Sequence, residues 1–146
     1  MTKTAVIDTS VELRGVQSKV DARGRSSTGS GDTTYIGPAD PEESTLIGKD
    51  PLNDLMLQIK ADNVKITGLT ITGGAKGYNT IEIHSATKKL EFINTLFRHI
   101  KANNVISSKG KPDLHLLGCQ FQDLTEVSYI LNVVGGGDIK VVFTTF

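Results

Sequence analysis

Short runs of alternating apolar and polar residues recur at regular intervals along this chain. Residues 62–72 (D-N-V-K-I-T-G-L-T-I-T) carry the clearest run, two strand pieces rich in β-branched residues with Gly68 at a bend between them. Residues 89–97 (K-L-E-F-I-N-T-L-F), 113–121 (D-L-H-L-L-G-C-Q-F) and 138–146 (D-I-K-V-V-F-T-T-F) repeat the template, and residues 10–16 (S-V-E-L-R-G-V) repeat it more weakly. The first apolar positions of the four strong copies, Val64, Leu90, Leu114 and Ile139, are 26, 24 and 25 residues apart. A second family of apolar runs precedes them, and it keeps step through Leu57, Ile81, Val105 and Ile130. Two strand families sharing one period of 24–26 residues are the signature of a solenoid. The expected fold is all-β: a single right-handed parallel β-helix of about five coils over residues 1–146, with no long helix.

Stacking the coils at about 4.8 Å turns equivalent positions into ladders. Four inward ladders are expected. The first is Val11, Val64, Leu90, Leu114 and Ile139; the second is Leu13, Ile66, Phe92, Leu116 and Val141. The third is Val16, Leu69, Thr95, Cys119 and Thr144; the fourth is Ile71, Phe97, Phe121 and Phe146. Every member of the first two is apolar, which a chance register would not produce. The bend is occupied by Gly15, Gly68, Asn94, Gly118 and Phe143. Gly and Asn tolerate a left-handed backbone and Phe does not, so the last coil is expected to bend differently or to end there. Residues 94–104 align with the strand-then-turn of the next copy rather than with a helix. Residues 23–44, Ser/Thr/Gly-rich and carrying Pro38 and Pro41, read as a long loop inserted into one coil.

Composition narrows the partners. The 146 residues hold 16 Lys+Arg against 16 Asp+Glu, a balance that argues against a nucleic-acid partner held by bulk electrostatics. There is no 18-residue apolar run and hence no expected membrane span, and the first residues do not resemble a signal peptide. Cys119, the single cysteine, excludes an intrachain disulfide; its place in the third ladder reads as a small core residue rather than a nucleophile. No metal or other cofactor is expected.

The runs S-V-E-L-R-G-V-Q-S-K-V-D-A-R-G-R-S, S-T-L-I-G and A-D-N-V-K-I-T-G-L-T-I-T-G-G together resemble the opening coils of bacterial right-handed parallel β-helix repeat proteins. That broad, pectin-lyase-like superfamily includes surface proteins, polysaccharide lyases and phage tailspikes. The resemblance implies the fold and leaves the activity open, because the fold hosts many activities. It also implies that a metal-dependent lyase would carry clustered carboxylates for Ca²⁺, and no such cluster falls on one face here.

The candidate sites follow from the outward positions. Glu12, Lys65, Glu91, His115 and Lys140 form a ladder of mostly alternating charge, read as cross-strand ion pairs. A lyase reading takes Lys65, Glu91 and His115 as base and electrostatic stabilisers on a sugar-binding face, and Lys65 and His115, with Arg23 and Arg25 of the loop, form an anion- or glycan-binding set; the favoured reading assigns no catalytic residue. The next outward position holds Arg14, Thr67, Ile93, Leu117 and Val142, giving the later coils an apolar stripe. No amphipathic cap is legible at either end of the repeat. The favoured reading is therefore a non-enzymatic self-assembly module of a cell or virion surface. In it, copies stack head to tail through Glu12, Lys140, Phe143 and Phe146, or laterally through Ile93, Leu117 and Val142. The alternative is a polysaccharide-binding or polysaccharide-cleaving β-helix.

Overall fold

The computed structural model of the protein describes residues 4–15, 44–48 and 55–146, so the expected loop at 23–44, with Arg23 and Arg25, and Val16 of the third ladder lie outside the described residues. Within them the chain winds as a parallel β-solenoid. The first rung is β1 (Ala5–Ile7), β2 (Val11–Arg14) and β3 (Thr45–Gly48); the second is β4 (Leu57–Ile59), β5 (Asn63–Thr67) and β6 (Thr70–Gly73). The third is β7 (Asn79–Ile83), β8 (Lys89–Ile93) and β9 (Leu96–Ile100), and the fourth is β10 (Asn104–Ser108), β11 (Asp113–Leu117) and β12 (Gln120–Gln122). A fifth, partial rung adds β13 (Tyr129–Val133) and β14 (Ile139–Val142), then bridges Thr145 to Gln120. Four full turns and part of a fifth thus replace the expected five. Every strand pairs in parallel with its counterparts one rung away, building sheet A (β1-β4-β7-β10-β13), sheet B (β2-β5-β8-β11-β14) and sheet C (β3-β6-β9-β12).

In sheet B the register is the expected one: Val11, Val64, Leu90, Leu114 and Ile139 stand in line, as do Leu13, Ile66, Phe92, Leu116 and Val141. Their interior members are buried, and removing an aliphatic or aromatic side chain of this size from water contributes about 1.5–3 kcal/mol. The fourth ladder holds as well and starts one rung earlier, at Leu46, which pairs with Ile71. Its aromatic members stack face to face, with ring centroids 4.5 Å apart for Phe97–Phe121 and 5.1 Å for Phe121–Phe146.

Sheet A differs from the expected register by one residue. Ile81 pairs with Ile106 and Ile106 with Leu131, not with Val105 and Ile130. Val105 and Ile106 are both apolar and both buried, so alternation alone does not say which faces the core, and a one-residue slip exchanges the faces.

The bends correct a second expectation. Gly68, Asn94 and Gly118 adopt φ of 65°, 49° and 62°, and Phe143 adopts 48°, so the last rung turns like the others. Its path follows rung four: Gly118 N–H donates to the Val142 carbonyl, and Thr145 N–H donates to the Cys119 carbonyl. Phe143 is carried into a left-handed conformation that its side chain disfavours.

From rung three onward the members of the third ladder carry a hydroxyl or thiol that bonds to the backbone. Thr95 Oγ1 lies 3.4 Å from the Ile66 carbonyl, Cys119 Sγ 3.3 Å from that of Phe92, and Thr144 Oγ1 3.2 Å from that of Leu116. Each hydroxyl or thiol therefore donates to the second-ladder residue of the rung before. Cys119, fully buried, occupies a threonine-like place.

Candidate functional site

Three surfaces hold the candidate residues. On the outer face of sheet B, the register sets Glu12 beside Lys65, Lys65 beside Glu91, Glu91 beside His115 and His115 beside Lys140. Side chains close much of this ladder. Lys65 Nζ is 3.4 Å and Arg14 Nη2 2.9 Å from Glu12 Oε1, while Lys89 Nζ is 3.1 Å and His115 Nδ1 3.3 Å from Glu91 Oε1. The Arg14 hydrogen bond, with Lys65 beside it, holds the Glu12 carboxyl below the usual carboxylate range. At Glu91 partial burial pushes the carboxyl up, but hydrogen bonds from Lys89 and His115 outweigh it and hold the group low. A lysine and a histidine already engaged with carboxylates are poorly placed as free bases. Beside them, Ser10, Glu12, Asn63, Lys65, Lys89 and Glu91 border an open depression of about 250 Å³. Among the described residues no group of three or more His, Cys, Asp or Glu is placed to hold a metal ion.

The outward stripe is continuous in register, Arg14–Thr67–Ile93–Leu117–Val142. Thr67 is buried, and Ile93, Leu117 and Val142 are half-buried.

The second surface is the pair of ends. Glu12 lies on rung one, and Lys140, Phe143 and Phe146 lie on rung five, so the structure places Glu12 and Lys140 at opposite ends of one ladder. Both terminal rungs leave inward positions open. Val11 is 38% exposed, Ile139 48%, Val141 42% and Phe146 60%, where interior members of the same ladders are essentially buried. Val11, Ile139 and Val141 were legible as ladder members but not as surface, because burial in a solenoid comes from the rungs on either side.

The third surface escaped the sequence reading. With Leu46, Ile71, Phe97 and Phe121 facing the core of sheet C, the alternate residues Thr70, Thr72, Leu96 and Arg98 face away from it, yet all four are buried. The outer faces of sheets A and B carry half-exposed polar residues instead, such as Gln58, Glu82, Lys65 and Glu91. The only sequence signal for a covered face was Leu96, an apolar residue at an outward position.

No protein-family model, curated protein or solved structure matches the chain in the three comparisons made. No helix among the described residues is long and apolar enough to cross a membrane.

Proposed function

We propose that the protein is a self-assembly module whose solenoids stack end to end into a fibre, as suits a surface structure. The observation that supports this reading is that the same ladders open at both ends, at Val11 on rung one and at Ile139 and Val141 on rung five. An interior rung buries its side chains because a rung lies on each side, and a second copy supplies the missing neighbour. Rung five laid on rung one continues sheets A and B in register, pairs the open strand edges of β14 and β2, and sets Lys140 beside Glu12. The contact joins unlike surfaces, so it repeats without closing and generates an open polymer.

Negative-stain microscopy and sedimentation velocity over a concentration series test this. Fibres are expected with an axial repeat of about 24 Å, five rungs at 4.8 Å. Lys140→Glu and Glu12→Lys should each shorten them, and the double exchange should restore them. Uniform small particles at high concentration would sink the proposal.

The depression beside Lys65 favours a second reading, a polysaccharide-binding face on sheet B in the manner of pectin-lyase-like proteins. It requires binding of an acidic oligosaccharide that Lys65→Ala or His115→Ala weakens, in protein that remains monomeric.

A further inference from the structure

Phe143 holds φ at 48°, a left-handed conformation that an aromatic residue disfavours, and it is 71% exposed. The rungs beneath take the same bend with residue types that tolerate it better: Gly68, Asn94 and Gly118, at φ of 65°, 49° and 62°. The open ladders do not account for the exposure. Ile139, Val141 and Phe146 are inward members at an open end, whereas Phe143 stands at the bend, outside the inward ladders. A ring this exposed adds little burial to the folded subunit. Backbone strain of this kind persists where function uses it.

The far end of the same sheet holds a group that fits the ring. Rung five laid on rung one extends the outward column Arg14–Thr67–Ile93–Leu117–Val142. Arg14 of the second copy then follows Val142, the residue before Phe143. The Arg14 side chain is 61% exposed, with Nη2 2.9 Å from Glu12 Oε1. A hydrogen bond in the guanidinium plane leaves the faces of that plane open, and a guanidinium stacks on an aromatic face.

We propose that Phe143 anchors the contact between copies, its ring seated against Arg14 of the next copy by apolar and cation–π contact. This rests on the end-to-end reading above and adds the residue pair that sets its strength. Aromatic residues and arginine dominate the energetics of interfaces, whereas an exposed ion pair such as Lys140 with Glu12 adds little beyond register. The strain at Phe143 is then a loss to the subunit that assembly recovers.

A double-mutant cycle on the full chain tests this, with critical concentrations for fibre formation read by pelleting and negative-stain microscopy. Phe143→Asn should melt above the wild type when both are monomeric, and yet raise the critical concentration about tenfold. Arg14→Gln should raise it about fivefold. The double variant should be no worse than Phe143→Asn alone, because both changes remove one contact. Phe143→Leu, still apolar but without the ring, should fall between the wild type and Phe143→Asn. If Phe143→Asn polymerises at the wild-type concentration, or the two effects multiply, the anchor is refuted while the fibre stands. A Phe143→Asn subunit that melts below the wild type also overturns the proposal, since the ring would then serve its own chain. A wild type that forms no fibres removes the end-to-end reading itself, and the anchor with it.

Discussion

Truncating successive members of the aromatic ladder should cost steeply different amounts, although the residues are chemically identical. Phe97 is fully buried, stacks on Phe121 at 4.5 Å with planes 4° apart, and meets Phe92 edge-on at 5.2 Å. Phe146 makes one such stack, at 5.1 Å, and is 60% exposed. Replacing a buried Phe by Ala costs about 3–5 kcal/mol in lost transfer energy and cavity formation, so Phe97→Ala should fall in that range. Phe97→Leu keeps most of the volume and loses two aromatic contacts at about 0.5–1.5 kcal/mol each, for about 1–3 kcal/mol. Phe146→Ala forfeits one contact and a minor part of its burial, about 1–1.5 kcal/mol. Against a total of about 5–15 kcal/mol, Phe97→Ala leaves a narrow margin. A solenoid is held by nearest-neighbour contacts, so the loss should also weaken the coupling between rungs on either side of β9. Urea unfolding by circular dichroism at micromolar concentration gives the three values, and amide exchange across β10–β14 reports the uncoupling. Equal losses for Phe97→Ala and Phe146→Ala would refute the view that position in the ladder decides burial. In a fibre Phe146 gains a neighbour, so its cost should grow with protein concentration while that of Phe97 stays fixed.

Other expectations follow from single contacts. Cys119→Thr should preserve stability, because a hydroxyl reaches the Phe92 carbonyl as Thr95 and Thr144 reach theirs, whereas Cys119→Val should lower the urea midpoint by removing the donor. Phe143→Asn should raise the melting temperature by relieving about 1 kcal/mol of left-handed strain, with Asn94 as precedent at the same bend. A Cβ on Gly110 would sit 2.7 Å from the Ser85 Cα in the rung below, so Gly110→Ala should destabilise by about 1–3 kcal/mol in the same assay. Burial raises the Glu82 carboxyl, but hydrogen bonds from Lys109 and Gln58 outweigh it, so its folded pKa lies below the ordinary 4.5. The unfolded chain then binds protons more readily, so this stabilisation is present above about pH 4.5 and is lost as the pH falls through the folded value; Glu82→Gln should flatten that part of an acid titration.

How much of this was legible in the sequence depended on how strictly each strand alternates. In sheet B every copy has one apolar and one polar residue in turn, so both ladders followed from spacing alone. In sheet A the adjacent Val105 and Ile106 satisfied the pattern equally, and only inter-rung hydrogen bonding picks Ile106. Phe143 was misjudged because residue preference was weighed without the rung beneath, whose backbone dictates the bend. The burial of Arg98 was not legible: a lone arginine among apolar residues looks like a solvated outward position, and the burial of that face is not a local property of the strand. The charge ladder could be read, but its partners were not fixed by pairing, since Arg14 and Lys89 reach Glu12 and Glu91 within their own strands.

The bend at Gly68, Asn94, Gly118 and Phe143 recurs at one place in each coil, and this governs how the chain tolerates insertion and deletion. A duplicated stretch of one coil enters as a whole new storey: each bend stays above the last, the ladders lengthen by one, and the rungs on either side meet the same neighbours as before. A single residue added within β8 or β11 shifts every later side chain of that strand to the opposite face and displaces the bend from its column. Length in this architecture therefore changes in steps of about 25 residues, and a lineage can adjust the height of the column while its cross-section stays constant.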